Sequence, residues 1–269
     1  MCIDIADVRV DVTDYLGNIT FSDPALQHYI DNTGYTFIHE LKELLCAGQQ
    51  IQDLSGIEAC IYLEKIVLTD NNISDISPLQ DLEFLEVLDL GGNPLAYIVP
   101  LINILSLKTL ILSNNSALQM YPLSDLTELS YLDMNNTNTI IPDVIGNPPN
   151  LKTLIISNNP IHDLYYIAQY GTLVNLDLEN TTIDDLSPLS SLVNLRTLNA
   201  AGNFISDITP IVNLPLQKLD LRNNNLGDED VAGLVGIESL LVLDVSKNAI
   251  SDSGLALFST PGLPNAAHA

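Results

Sequence analysis

The sequence of 269 residues is 46% hydrophobic, with a mean hydropathy of +0.23, which is enough apolar material for one long continuous core. Its 34 acidic and 9 basic residues give a formal net charge of −25, which argues against nucleic acids and anionic membrane surfaces as partners, because both attract cationic patches. No uninterrupted apolar run of about 18 residues occurs, which argues against a membrane-spanning helix.

The segment 1–40 precedes the periodic part of the chain and is predicted to cap one end of the fold. Alternating valines around Val10 favour a strand. Further on, Asp23 stands before Pro24, and apolar residues recur on one side of the turns that follow, which is typical of a helix start. We therefore predict an N-terminal cap with one helix.

From Leu41 onward the sequence repeats with a period of 22 residues, apart from a shorter step after Leu195 and a longer step after Leu216. A fixed period of this size is typical of a solenoid, in which one unit cannot bury its own apolar face and becomes stable only by stacking. We predict repeats over 41–252, followed by a C-terminal cap and a frayed tail over 253–269. The units begin at Leu41, Leu63, Leu85, Leu107, Leu129, Leu151, Leu173, Leu195, Leu216 and Leu240.

Within a unit, apolar residues fall at positions 1, 4, 6, 11, 14, 17 and 20, counted from its first leucine. Positions 4 and 6 point to the same side of a strand, whereas positions 3, 5 and 7 point to the other side. Each unit therefore predicts one short strand that is buried on one side only. Ten such strands, spaced by about 4.8 Å, would form a parallel sheet about 43 Å wide.

Asparagine recurs at position 9, and its amide can both donate and accept hydrogen bonds where the chain turns into the core. We interpret these residues as structural, because buried polar groups must find partners, and expect a row of mutually supporting amides. Gln49, Thr137 and Thr181 take this place in three units. The other seven units have Asn71, Asn93, Asn115, Asn159, Asn203, Asn224 and Asn248.

The second half of several units reads Asp-Ile-x-Pro-Leu, as at residues 75–79. A proline in this place suits the start of a tight turn, so the side opposite the sheet is predicted to consist of short 3₁₀ segments. In the unit that begins at Leu216, the longer phrase 227–237 has apolar residues at helical spacing. We predict an α-helix there.

Aspartate recurs at position 13, and two interpretations are open. Each carboxylate could cap its own helical turn, which contributes roughly 1 kcal/mol apiece. Alternatively, the stacked carboxylates could bind Ca²⁺ or depend on salt, although calcium sites usually draw several oxygens from one folded loop, which favours the caps. These residues are Asp53, Asp75, Asp163, Asp185, Asp207, Asp228 and Asp252.

The repeated phrase LxxLxLxxNxIxDIxPLxxL resembles the leucine-rich repeats of the internalin-like bacterial class, and the last two units are similar to the ribonuclease-inhibitor type. The resemblance implies an α/β fold, namely a curved leucine-rich-repeat solenoid of about ten repeats. In this horseshoe a concave parallel sheet binds protein partners, and the convex side carries 3₁₀ and short α segments. The resemblance also implies a bacterial protein that is secreted or lies on the cell surface.

Cysteines and histidines give no sign of chemistry. Cys46 and Cys60 occupy core positions of the first unit and read as buried small apolar residues, although a disulfide between them is an alternative. Cys2 directly follows the first methionine, which fits either the lipid anchor of a mature bacterial lipoprotein or a free terminal cysteine. The four histidines, with no metal-ligand spacing, are His28, His39, His162 and His268. We expect no enzyme, cofactor or metal site.

Charge is distributed unevenly over the repeat. The ten eight-residue strand segments hold 8 bases and 10 acids, a net charge of −2, whereas the rest of the chain holds 1 base and 24 acids, a net charge of −23. In the middle of the chain, position 5 alternates between acidic and aliphatic residues, so these units have a 44-residue superperiod. Exposed apolar residues on a charge-depleted, rigid sheet are typical of an interface centre, but duplication of a two-unit block would also explain them.

The sequence therefore predicts a non-catalytic, monomeric module that binds a protein partner on its concave sheet. Two alternatives are a structural spacer or self-assembling element of a cell envelope, and the recognition domain of a larger enzyme. The acidity fits a basic partner, a saline habitat or solubility alone. The candidate partner-binding residues are Lys65, Val67, Val87, Asp89, Lys108, Thr109, Ile111, Tyr131, Asp133, Lys152, Thr153, Ile155 and Asp177.

Overall fold

The computed structural model describes residues 14–116, 118–119, 122–138 and 145–259. Within them, ten strands form one parallel sheet in chain order, which confirms the predicted curved α/β solenoid. Cys2, the valines around Val10, His268 and the tail from residue 260 lie outside the described residues. The strands are β1 (Glu43–Leu45), β2 (Lys65–Val67), β3 (Val87–Asp89), β4 (Thr109–Ile111), β5 (Tyr131–Asp133), β6 (Thr153–Ile155), β7 (Asn175–Asp177), β8 (Thr197–Asn199), β9 (Lys218–Asp220) and β10 (Val242–Asp244).

The strand register follows the repeat numbering throughout the sheet. Position 3 of each unit pairs with position 3 of the next, as Lys65 pairs with Val87 and Thr109 with Tyr131. The register also holds across the irregular steps, because Thr197 pairs with Lys218 and Lys218 with Val242. The missing and the extra residues are therefore absorbed by the connecting segments, and the sheet continues without a slip.

One continuous core runs through the stack from Leu16 to Val245. The leucines that open the ten units are 0–3% exposed, and each contributes roughly 1.5–3 kcal/mol by burial. The middle residue of each strand, position 4 of the unit, is also buried, while positions 3 and 5 lie on the opposite side of the sheet. Because every apolar contact surface is shared with a neighbouring unit, the repeats stabilise one another.

Eight of the ten position-9 residues, which together we call the asparagine ladder, are buried as predicted, whereas Gln49 is exposed and Asn248 is partly buried. Asn71 shows the common pattern: its Nδ2 donates to the carbonyl oxygens of Leu68 in its own unit and Cys46 in the preceding unit. Its Oδ1 accepts from the backbone N–H groups of Gln49 and Ile51, both at 3.0 Å. Each asparagine amide therefore bonds mainly to the backbone of two units and not, as the sequence led us to expect, to a neighbouring amide. Direct side-chain bonds within the ladder come from threonine, since the hydroxyls of Thr137 and Thr181 donate to the next asparagine oxygen.

Position 8 of every unit adopts the left-handed conformation, with φ between 54° and 68°. This conformation is accessible to glycine and, at a small cost, to asparagine and aspartate, which explains the composition of the position. Lys247 is the exception in the last unit. The ten residues are Gly48, Asp70, Gly92, Asn114, Asn136, Asn158, Asn180, Gly202, Asn223 and Lys247.

Three units also have a left-handed residue at position 10, namely Gln50, Asn138 and Thr182. These are the units in which position 9 carries Gln49, Thr137 or Thr181 in place of asparagine. The hydroxyl of Thr181 donates to the carbonyl oxygen of Leu178 at 2.7 Å, but a hydroxyl is shorter than an amide and reaches fewer backbone groups. Loss of the asparagine is thus coupled to a different turn.

The convex side consists of short 3₁₀ turns, as predicted, and in four of them proline occupies the first or second place. In the unit from Leu216 the α-helix α2 covers only Asp228–Val231 and continues as a 3₁₀ turn, so the predicted helix over 227–237 is shorter than expected. Acidic residues favour its first turn, while Gly233 and Gly236 disfavour a longer helix. The 3₁₀ segments are Leu16–Asn18, Ile38–Glu40, Ile57–Ala59, Ser77–Leu79, Val99–Asn103, Tyr165–Gln169, Ser187–Ser191, Thr209–Ile211, Ala232–Gly236 and Leu257–Ser259.

Short helices stand at both ends of the stack: α1 (Pro24–Asp31) before the first unit and α3 (Asp252–Ala256) after the last strand. The helix predicted at Asp23 and Pro24 is α1, and the Oδ1 of Asp23 accepts from the N–H groups of its first turn. The Oδ2 of Asp23 accepts from the N–H of Gln52 at 2.8 Å, so one carboxylate joins the cap to the first unit. Among the helices in the described ranges, none is long and apolar enough to cross a bilayer.

Candidate functional site

The concave side of the sheet presents two parallel rows of side chains, one from position 3 and one from position 5. The candidate residues on β2 to β7 fall into these rows in register, so that Val67, Asp89, Ile111, Asp133, Ile155 and Asp177 are successive neighbours. The position-3 row beside them reads Lys65, Val87, Thr109, Tyr131 and Thr153. Lys108 and Lys152 each lie one residue before a strand, at the edge of this surface.

The apolar members of these rows are half-buried, whereas the sequence pattern led us to expect exposed side chains. Neighbouring side chains on the inner surface of a curved sheet crowd together and shield one another from water. On the first and last strands, where a neighbouring strand is present on one side only, the side chains are more exposed. Leu45 on β1 and Val242 on β10 are each 45% exposed. The central surface is thus already partly dehydrated before any partner arrives.

The aspartates of the position-5 row serve the backbone as well as the surface. In each of them one carboxylate oxygen accepts a hydrogen bond from the N–H two residues later, where the strand ends, as Asp133 does from Asn135 at 2.8 Å. Asn199 makes the same contact with Ala201 at 3.2 Å. The aspartates with this bond are Asp89, Asp133, Asp177, Asp220 and Asp244. This local role was not visible in the alternation of acidic and aliphatic residues.

Burial raises the pKa of Asp133 and Asp177 above the usual range of aspartate, against the effect of their backbone hydrogen bonds. Burial also raises the pKa of Tyr131, and the neighbouring carboxylates of Asp133, Asp89 and Asp177 add to the shift. The charged forms of Asp133 and Asp177 are therefore less favourable here than in water.

This burial predicts that Asp133→Asn and Asp177→Asn stabilise the protein at pH 7, because asparagine keeps the acceptor oxygen and removes a partly dehydrated charge. A carboxyl whose folded-state pKa is raised destabilises the fold above that pKa, so the gain should shrink as pH falls toward the ordinary value of about 3.9. Urea unfolding of both variants and the wild type between pH 7 and pH 4 measures this. Asp31→Asn, on an exposed helix position, provides the control, and an equal gain there would contradict the prediction.

Ion pairs neutralise the flanks of the concave surface but not its centre. Lys108 Nζ lies 2.7 Å from Glu86 Oε1, and Lys42 pairs with Glu64. Toward the other end, Arg222 lies 3.0 Å from Asp220 Oδ2 and 3.9 Å from both Glu179 and Asp244. In the part of the chain that the structure describes, no ion pair involves the central aspartates Asp89, Asp133 or Asp177.

A shallow depression of about 310 Å³ opens on the concave side next to the aromatic centre. It lies over β6 to β9, where small polar side chains follow the larger Tyr131 along the position-3 row. The sequence reasoning missed Asn175, Thr197, Asn199 and Lys218 in its lining, because it followed the superperiod and stopped at Asp177. Their positions 3 and 5 within the repeat would have identified them.

Several of the position-13 aspartates cap their own turns as predicted, but Asp228 does not, because its carboxylate accepts from the N–H and the hydroxyl of Ser251 in the next unit. Asp75, Asp185 and Asp207 accept from the N–H of the first residue of the following 3₁₀ turn at 2.7–2.8 Å. The hydrogen bonds from Thr209 lower the pKa of Asp207, in keeping with a carboxylate that is stabilised in its charged form. Among the described residues, no group of three or more His, Cys, Asp or Glu side chains could hold a metal ion.

Both cysteines of the first unit are free and buried, so the alternative of a disulfide between Cys46 and Cys60 was wrong. Burial raises the pKa of each thiol to about 12, which leaves it protonated and unreactive at neutral pH. Outside the core, His28, His39 and His162 are exposed, and His39 Nδ1 lies 2.6 Å from Asp14 Oδ2. These groups lie apart from the concave rows.

Comparison with known proteins supports the same architecture. Residues 171–213 match the family described as Leucine Rich repeats (2 copies), and residues 212–235 and 237–259 match Leucine Rich repeat. Internalin C2 of Listeria monocytogenes is 30% identical, with a TM-score of 0.69, over 75% of this chain and 94% of that chain. No curated protein sequence matches the chain.

Two further solved structures are similar over most of the chain. An internalin, InlF, of Listeria monocytogenes is 26% identical with a TM-score of 0.54, over 93% of this chain and 96% of that chain. A leucine-rich-repeat protein of Leptospira interrogans is 26% identical with a TM-score of 0.72, over 82% of this chain and 59% of that chain. The concave sheet with its two rows is thus set in a fold shared with bacterial repeat proteins.

Proposed function

Because the chain belongs to the internalin-like leucine-rich-repeat proteins of bacteria, we propose that it is a non-catalytic module that binds a protein partner on its concave sheet. The observation that carries the proposal is the pair of in-register rows, in which Ile111, Tyr131 and Ile155 form a half-buried apolar centre. Aromatic and aliphatic side chains that are already partly dehydrated cost little more to bury in an interface.

The same proposal places the protein on the cell surface or outside the cell, as a monomer, with a lipid anchor at Cys2 as one way of retention. A rigid sheet suits recognition. Strand pairing on both sides fixes the backbone from which the side chains extend, so little conformational freedom is lost on binding. The concave aspartates already accept hydrogen bonds from the backbone, which favours a structural and recognition role over acid–base chemistry.

A capture experiment with matched variants tests the proposal. The immobilised protein is exposed to an extract of extracellular proteins, and captured chains are quantified by mass spectrometry. The concave variant carries Ile111→Asp, Tyr131→Asp and Ile155→Asp. The control variant carries Val99→Asp, Tyr165→Asp and Val193→Asp, three exposed apolar positions outside the concave rows. We expect a chain that the wild type and the control both retain, and that the concave variant loses at least tenfold.

The aspartates of the concave variant add charge to a row that is already acidic, so a second variant separates binding from folding. Threonine at the same three positions preserves strand propensity, since threonine occupies neighbouring places on β4 and β6. Loss of capture with an unchanged urea midpoint supports the proposal. Equal capture by all variants contradicts it, and changed self-assembly after removal of the terminal caps would instead favour the spacer.

A further inference from the structure

The central aspartates of the position-5 row are spaced by two strands. Asp89, Asp133 and Asp177 lie on β3, β5 and β7, with Ile111 and Ile155 in register between them. Strands in a sheet are about 4.8 Å apart, so like residues recur about every 9.6 Å and the three carboxylates span about 19 Å. The side-chain tips lie slightly closer together than this, because they are on the inside of the curve.

Among the described residues these three carboxylates have no ion pair, whereas nearby Glu64, Glu86 and Asp220 have basic partners within the chain. Burial raises the pKa of Asp133 and Asp177, which shows that the protein does not fully compensate their charge. A partner with cationic groups at the same spacing would supply that compensation, and charge-assisted hydrogen bonds are stronger in a dehydrated site.

Tyr131 lies at the middle of this pattern, between Thr109 and Thr153 in the position-3 row and on the same strand as Asp133. A ring flanked by small side chains offers a flat apolar surface next to an acid. Aromatic rings bind proline rings of extended segments, and nearby acids bind the basic residues of the same segments, so this combination favours one class of peptide.

The spacing selects the conformation of such a segment. An α-helix brings a residue back to the same side after seven residues, or about 10.5 Å. Two such steps cover about 21 Å, which exceeds the roughly 19 Å between the outer carboxylates by about 2 Å. A β-strand returns to one side every two residues, about 6.7 Å, and cannot place a residue over the middle carboxylate. A polyproline-II helix returns every third residue, at about 9.3 Å, and covers the span within about 1 Å.

We propose that the concave sheet binds a proline-rich segment in the polyproline-II conformation that carries a lysine or arginine at every third residue. The segment lies across the strands, its cations opposite Asp89, Asp133 and Asp177 and its prolines against Tyr131 and the isoleucines. This inference rests on the proposed function, because it names the partner of the same surface.

Two fluorescein-labelled peptides of identical composition test the spacing. One is four repeats of Lys-Pro-Pro; the other is Lys-Lys-Pro-Pro-Pro-Pro repeated twice, so both carry the same charge and both favour polyproline II. Fluorescence anisotropy at low ionic strength should show at least tenfold tighter binding of the first peptide to the wild-type protein. Equal affinity would mean general attraction to an acidic protein and would overturn the inference.

A charge-matched pair of variants locates the site. Asp89→Asn, Asp133→Asn and Asp177→Asn together should reduce binding of the first peptide to the level of the second. Glu83→Gln, Glu128→Gln and Glu238→Gln remove the same charge from exposed positions outside the concave rows and should leave the tenfold preference intact. Loss of the preference in this control, or no binding of either peptide, overturns the inference. The capture experiment with Ile111, Tyr131 and Ile155 still decides the proposed function by itself.

Discussion

Replacing Asn115 by alanine should lower the free energy of unfolding by about 2–4 kcal/mol, because several buried backbone groups lose their partner at once. Asn115 is fully buried, and its Nδ2 donates to the carbonyl oxygens of Leu90 at 3.1 Å and Leu112 at 2.8 Å. Its Oδ1 accepts from the N–H of Leu95 at 3.1 Å. Equilibrium urea unfolding followed by circular dichroism measures the loss.

Two further variants provide a control and an intermediate case for the loss of stability in Asn115→Ala. Asn150→Ala removes an exposed amide that donates to the carbonyl oxygen of Thr127, and should cost under about 1 kcal/mol. Asn115→Thr should lose less stability than Asn115→Ala, because the hydroxyls of Thr137 and Thr181 donate to the carbonyl oxygen three residues earlier. If Asn115→Ala unfolded at the same urea concentration as Asn150→Ala, the ladder would contribute little to stability.

Replacing Asp23 by alanine should destabilise the protein by about 2–4 kcal/mol, because the substitution removes a helix cap and two partly buried hydrogen bonds to the first unit. Burial by itself would raise the pKa of Asp23, but the four backbone N–H groups of Gln52, Ala25, Leu26 and Asp53 outweigh it and lower the pKa. A carboxyl with a lowered folded-state pKa stabilises the fold above its unfolded value and loses this contribution as pH falls through the folded-state pKa.

The stability difference between the wild type and Asp23→Ala should therefore be present at pH 7 and shrink below about pH 4. Asp23→Asn should retain part of the stability, since its oxygen still caps α1 while its NH₂ faces the donors of Gln52 and Asp53. Asp31→Ala, which removes an exposed contact with Gln27, should change the urea midpoint little. A pH-independent loss in Asp23→Ala would show that the carboxylate charge is not what joins the cap to the solenoid.

The apolar periodicity predicted the sheet, the core and the convex turns, because each of these depends on which side of the chain is buried. Irregular spacing at Leu216 and Leu240 did not mislead the prediction, since the strand register depends on positions 1, 4 and 6 of each unit. The convex caps followed from the chemistry of aspartate before a turn, as Asp75 and Asp207 illustrate.

Other features could not be read from side-chain periodicity because they are properties of the backbone. The left-handed conformation at position 8 is visible in sequence only as a preference for glycine and asparagine, and Lys247 breaks it. The half-burial of Tyr131 and Ile155 depends on curvature, which brings neighbouring rows together. The bond from Asp133 to the N–H of Asn135 likewise depends on where β5 ends.

In the asparagine ladder, the turn of each unit depends on the asparagine of the unit that follows it in the chain. The N–H groups of Gln49 and Ile51 donate to the Oδ1 of Asn71, which lies 22 and 20 residues later in the chain. The N–H of Ile73 donates in the same way to the Oδ1 of Asn93. A chain that grows from its amino end therefore always carries one incomplete turn at its tip, which only the next unit completes. During synthesis we therefore expect each turn to be completed only after the next repeat has left the ribosome and its asparagine can accept these hydrogen bonds.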